Sequence, residues 1–146
     1  MNTEDITVSV VPAWDAEQIV ALYRSAGGWW EEMSDAVTVI PALFDGSFAV
    51  AVAYTRDNRA VGMGRVLSDG VSDAYIQDVV VDPACRGGQG IGKRIIQLLV
   101  DTCRQAGITW IALIAEPGTH TFYAPPLGFT VMEDYLPMKY EGDDKQ

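Results

Sequence analysis

The chain has 146 residues, 49% of them hydrophobic, and a formal net charge of -10. That length suits one compact domain over residues 1–146, since two halves would each be too small to bury a sizeable core. No run approaches the roughly 20 apolar residues of a membrane span. The start Met1-Asn2-Thr3-Glu4-Asp5 lacks the basic and apolar regions of a signal peptide, so a cytoplasmic protein with no membrane contact is expected. The acidic balance repels polyphosphate backbones at long range, which argues against a nucleic-acid partner and suits a cationic substrate. Cys85 and Cys103 have no metal-ligand spacing and His120 is the sole histidine. A zinc site therefore has too few soft ligands, no metal is expected, and both thiols are read as reduced.

In chain order, Ile6 to Val11 alternate as a short strand that Pro12 ends. Asp15 can cap a helix carrying Ile19, Val20, Leu22 and Tyr23, stopped at Gly27-Gly28. Trp29 to Asp35 reads as a loop, and Ala36 to Phe44 as a second short helix, although its β-branched run and Pro41 weaken the helical signal. Ser47 to Thr55 and Ala60 to Leu67 are β-rich runs around the turn Arg56-Asp57-Asn58-Arg59. After Ser68-Asp69-Gly70 comes a long run from Val71 through Val81. It ends on Val79-Val80-Val81, apolar without alternation, as in a strand buried on both faces.

From Gly90 to Ala106, Ile91, Ile95, Leu98, Leu99 and Cys103 recur at helical spacing, and Gly107 ends the helix. Thr109 to Ala115 reads as a buried strand, Thr119 to Tyr123 as a short helix, and Phe129 to Met132 and Leu136 to Tyr140 as closing strands. The tail 141–146 is expected to fray. The order β-α-α-β-β-β-α-β-α-β-β predicts an α/β (α+β) fold, a mixed sheet of about seven strands with about four helices packed on it.

The chemistry gathers at the turn Arg86-Gly87-Gly88-Gln89-Gly90-Ile91-Gly92-Lys93. It places several backbone N–H groups at a helix N-terminus, where no intrahelical carbonyl can take them. Glycines let that backbone approach an anion closely, and the helix dipole favours negative charge there. A pyrophosphate cradle is one reading, and a merely tight connection is the other. A P-loop does not fit, because Arg94 stands where the magnesium-binding hydroxyl should follow Lys93. A dinucleotide fingerprint does not fit either, because the turn lies past mid-chain after several strands. Arg86, Lys93, Arg94 and Arg104 make a basic island opposed only by Asp101 between positions 86 and 104.

Three segments, Val79-Val80-Val81-Asp82-Pro83-Ala84-Cys85-Arg86, Gly90-Ile91-Gly92-Lys93, and Phe122-Tyr123 followed by Leu127-Gly128-Phe129, together resemble the GCN5-related N-acetyltransferases over nearly the whole chain. The resemblance implies a mostly antiparallel sheet with splayed central strands and an acetyl-CoA-dependent N-acetyltransferase (EC 2.3.1 class). It implies that the main chain of the Val79-Val80-Val81 strand, at Val79 and Val81, would bind the pantetheine arm and acetyl carbonyl beside a bulge. The amides from Gly87 through Lys93, including Gly88, Gln89, Gly90, Ile91 and Gly92, would hold the pyrophosphate, with Arg86 or Lys93 adding charge. Tyr123 would protonate the departing thiolate. Transfer would be direct to a primary amine of a small molecule. A peptide or protein amino group, or a CoA-binding sensor without catalysis, are the alternatives.

The turn is one residue longer than the family pattern between Arg86 and Gly90. Either Arg86 is displaced, or Gly87 takes its place without a side chain. Tyr123 to Gly128-Phe129 is also one residue longer. The family's glutamate base would fall near Tyr75, where no carboxylate stands, leaving Asp73, Glu116 or a water chain. Trp29 and Trp30 would lie over an acceptor cleft or in the core, with Glu31 and Glu32 near them. The alternation Leu136, Met138, Tyr140 corresponds to a strand that in this family often joins a homodimer interface.

Overall fold

Five strands, β1 (Thr7–Val10), β2 (Ala49–Tyr54), β3 (Ala60–Ser68), β4 (Asp73–Val81) and β5 (Trp110–Ala112), lie side by side in chain order. The first three pairings are antiparallel and the last, β4 with β5, is parallel. The computed structural model describes residues 5–27 and 35–142. The chain forms two compact units, Met1–Leu113, which holds the whole sheet, and Ile114–Gln146.

In the first unit, helix α1 (Ala16–Arg24) starts where the sequence expects. The Asp15 carboxylate accepts the Gln18 amide at 3.0 Å, satisfying one orphan donor of the first turn. Helix α2 (Ala36–Gly46) forms despite Pro41 inside it. Ala36, Ile40 and Phe44, four residues apart, go into one core with Ile19, Val20, Leu22 and Tyr23 of α1 and Val50, Val52, Met63 and Val80 of the sheet. Burial of that stripe outweighs the hydrogen bond lost at the proline.

Helix α3 (Ile91–Gln105) covers the other face of the sheet and buries Ile91, Ile95, Ile96, Leu99 and Cys103. It lies close because β3 presents glycines to it. A Cβ built on Gly64 would stand 2.9 Å from Ile95 Cγ2 and 3.2 Å from both Leu99 Cδ1 and Val79 Cγ2. Gly64→Ala is therefore expected to cost about 1–3 kcal/mol, as overpacking does, read as a lower thermal midpoint. An unchanged midpoint would mean that the helix can ride outward freely.

The mixed, mostly antiparallel architecture matches the sequence reading, but the strand count does not. Among the described residues there are five strands rather than about seven, and neither 129–132 nor 136–140 is a strand. In the second unit Leu136, Met138 and Tyr140 are 80%, 92% and 93% exposed. Alternation supplies an apolar face, but a strand also needs a neighbour to take its N–H and C=O groups, and none pairs here. No helix among the described residues is long and apolar enough to cross a membrane.

Candidate active site

Strand β4 does not run straight. Opposite β3, Met63 pairs with Val80 but Arg65 pairs with Gln77, so two steps on β3 are matched by three on β4. This is a β-bulge at Asp78 and Val79. Asp78 adopts φ 59°, in the left-handed region, which costs a non-glycine residue about 1–2 kcal/mol. Two charge-assisted bonds offset that strain: Asp78 Oδ2 accepts the Tyr23 hydroxyl at 2.7 Å and Arg65 Nε at 2.6 Å. Tyr23 is 1% exposed. Its phenol is pushed far above the ordinary tyrosine range, first by burial, then by its bond to Asp78 and that carboxylate's charge, with Arg65 opposing.

The bulge decides which main-chain groups are available. The Asp82 amide donates to Val61 O at 2.8 Å, so the strand alternation turns the N–H and C=O of Val81 away from β3, and those of Val79 likewise. On that side β5 pairs only at Asp73↔Trp110, Ala74↔Ile111 and Tyr75↔Ala112. From Ile76 to Val81, no strand of the described residues pairs with β4 on that edge. Val80 has the opposite parity, and its side chain lies in the core at 4% exposure.

A 3-10 turn at Pro83–Cys85, capped by Asp82 onto the Ala84 amide at 3.0 Å, leads to the glycine turn. Gly87 has φ 90° and Gly90, the N-cap of α3, has φ 63°. A Cβ at Gly87, Gly88 or Gly90 would meet nothing within 4 Å. The Gly90 N-cap offers no side chain to α3, and the first-turn amides of Ile91, Gly92 and Lys93 have no intrahelical acceptor. Ile91 anchors the helix start by burial, whereas Arg86, Lys93 and both leading glycines are exposed and Gln89 is half-buried. Of the basic island, Arg86 Nε donates to Val81 O at 3.1 Å, and Arg94 Nη2 donates to Ile6 O at 2.9 Å. Lys93, in the first turn of α3, is an exposed cation at the cradle.

In the second unit, helix α4 (His120–Tyr123) ends on Tyr123. The Leu127 and Phe129 amides both donate to Tyr123 O, at 3.1 and 3.3 Å, so the longer loop folds back on the tyrosine. Its ring stands edge-on to Phe122 and to Phe129, with centroids at 5.0 and 6.0 Å. Burial first, and the Glu116 charge second, raise the Tyr123 phenol above its ordinary value. It is therefore held protonated at neutral pH.

Asp73 opens β4 and is exposed, five residues before the bulge, or roughly 16 Å along the strand. Glu116 is exposed in the second unit. The carboxylate at the bulge is Asp78, whose only sequence signal is its place inside the apolar run ending β4. Cys85 and Cys103 are free and buried, and burial raises the Cys103 thiol. No cluster of three or more His, Cys, Asp or Glu able to hold a metal occurs among the described residues. Trp29, Trp30, Glu31, Glu32 and residues 143–146 lie outside the described residues.

A mixed sheet whose fourth strand bulges and parts from a parallel fifth, followed by a glycine-opened helix, defines an acyltransferase-type fold of the GNAT class. The chain belongs to the acetyltransferase (GNAT) family, whose model matches residues 16–129. It is 42% identical over 78 residues to GCN5-related N-acetyltransferase 1, chloroplastic, of Arabidopsis thaliana, covering 53% of this chain and 39% of that protein. It is also 42% identical over 84 residues to serotonin N-acetyltransferase 2, chloroplastic, of Oryza sativa subsp. japonica, covering 58% and 41% of the two chains. The chain thus spans about two fifths of these relatives' length. Among solved structures, a GNAT family acetyltransferase of Streptococcus pneumoniae TIGR4 superposes with TM-score 0.76 over 96% of this chain and 100% of the other, at 22% identity.

Proposed function

We propose that this chain transfers an acetyl group from acetyl-CoA to a primary amine of a small molecule by direct attack. The observation that carries the reading is the juxtaposition along one segment of the bulge-opened edge at Val79 and Val81 with the first-turn amides of the glycine-opened helix α3. The open space around Gly87, Gly88 and Gly90 leaves room for a pyrophosphate. In this reading the amides from Gly87 to Lys93 hold the diphosphate, and the Lys93 ammonium adds charge. The main chain of Val79 and Val81 orients the pantetheine arm as an added strand would, and the Val81 N–H faces the charge that builds on the acetyl oxygen. Acetyl-CoA, when bound, supplies the acyl group as a thioester and a thiolate leaving group. Tyr123, matched by the family's tyrosine, gives the proton that the thiolate takes up.

The burial of both cysteines supports direct transfer over a thioester on the enzyme. The name of the rice relative puts a small aromatic amine first among acceptors to try. Isothermal titration is expected to show acetyl-CoA binding, and a thiol-release assay over an amine panel led by arylethylamines is expected to show turnover on at least one. Binding without turnover on any small amine, peptide or protein amine would favour a CoA sensor. No binding would overturn the reading.

A further inference from the structure

Asp78 is a charged residue in a backbone conformation that favours glycine, at the one place where β4 loses register with β3. Its carboxylate joins elements distant in sequence. Oδ2 takes the Tyr23 hydroxyl from α1 and Arg65 Nε from β3. Arg65 Nη1 reaches Ser47 Oγ at 3.2 Å, and Ser47 Oγ donates to Leu43 O of α2 at 2.7 Å. The Arg65 and Asp78 side chains are 19% and 24% exposed, so the pair is shielded from bulk water. A bulge kept only by local preference would need none of this, because glycine or asparagine would meet the φ requirement without a buried partner. Here both helices of one face are tied to the strand at its bulge.

We propose that Asp78, gripped by Tyr23 and Arg65, is the positioning residue that locks the β4 bulge and so keeps the Val79 and Val81 main chain turned to the open edge. It acts through the backbone of the two residues that follow it. The part of this inference that concerns the cofactor rests on the function proposed above, whereas the lock itself does not.

Asp78→Asn separates the two explanations, because asparagine has the same size and tolerates the left-handed region at least as well, but carries no charge. If the ionic grip holds the bulge, hydrogen exchange of the Asp82 amide, bonded to Val61 O just beyond the bulge, is expected to speed up about tenfold, the loss of charge from two bonds. The α3 amides, which report the rest of the unit, should change much less. The KM for acetyl-CoA should rise by a similar factor, with kcat at saturation nearly kept. Tyr23→Phe keeps the ring in the core and removes one of the two bonds to the Asp78 carboxylate while leaving its charge pair with Arg65, so it should move the same readouts in the same direction by less. Asp82 exchange unchanged in both variants, or accelerated only in step with α3, would overturn the lock. Failure of the wild type to bind acetyl-CoA would sink the proposed function and leave the exchange result to decide the lock.

Discussion

Gly90→Asp is expected to raise the dissociation constant for acetyl-CoA about 100-fold, or roughly 2.8 kcal/mol. The residue sits at φ 63° as the N-cap of α3, and a Cβ there meets nothing within 4 Å. The aspartate therefore has room, and among non-glycine residues Asp is one of those best tolerated in this conformation. Its charge would stand where the diphosphate has to lie, and a like charge about 4 Å away near a protein surface repels by about 4 kcal/mol before screening. At φ 63° the side chain does not leave the backbone from the extended conformation of a capping residue, so the carboxylate acts on the ligand and brings the helix no cap. Titration calorimetry beside a thermal melt reads the charge and the strain separately: much weaker binding with a modestly lower midpoint. Gly90→Ala is the control, since it adds the backbone strain without the charge. Equal losses in the two variants would assign the effect to strain and remove the anion cradle.

Tyr123→Phe is expected to lower kcat by about 100-fold or more, the usual range for removing a general acid, while the affinity for acetyl-CoA stays close to that of the wild type. The substitution keeps the ring that packs edge-on between Phe122 and Phe129 and deletes only the hydroxyl. The pH profile carries a second signature. Burial and Glu116 raise the phenol above its ordinary value. The protonated, donating form therefore persists to higher pH, and the alkaline fall of kcat assigned to Tyr123 comes above the ordinary tyrosine range. In the phenylalanine variant that limb should vanish along with most of the rate. Full turnover in the variant would rule out the acid role, and a loss of acetyl-CoA affinity without loss of kcat would recast Tyr123 as a binding residue.

The parts of the site legible from sequence are those set by local chemistry. Helix α3 announces itself through apolar residues at helical spacing between Gly90 and Gly107, and the structure runs it from Ile91 to Gln105. The open backbone of the turn before it follows from three glycines, which offer no side chain of their own to the orphan amides. The Asp15 cap of α1 is a short-range bond between residues three apart. By contrast, α2 contains a proline and a β-branched run, and it forms because Ile40 and Phe44 find a core built by other elements. The closing strands expected at 129–132 and 136–140 fail for the converse reason: their alternation is present but no neighbour among the described residues pairs with them.

The sequence by itself determined that a glycine turn, lying between a valine-rich strand and an amphipathic basic helix, could receive an anion, because the required backbone freedom and helix periodicity belong to residues close together. The family resemblance implied a bulge and a splay in the strand before the turn, and only the tertiary structure showed which residues bend it. Asp78 leaves the extended conformation through a tyrosine 55 residues away and an arginine 13 residues away, and the edge at Val79 and Val81 has no strand partner among the described residues because β5 pairs for three residues and stops. Those contacts are long-range, and a pattern read along the chain records which groups are present without recording which of them meet.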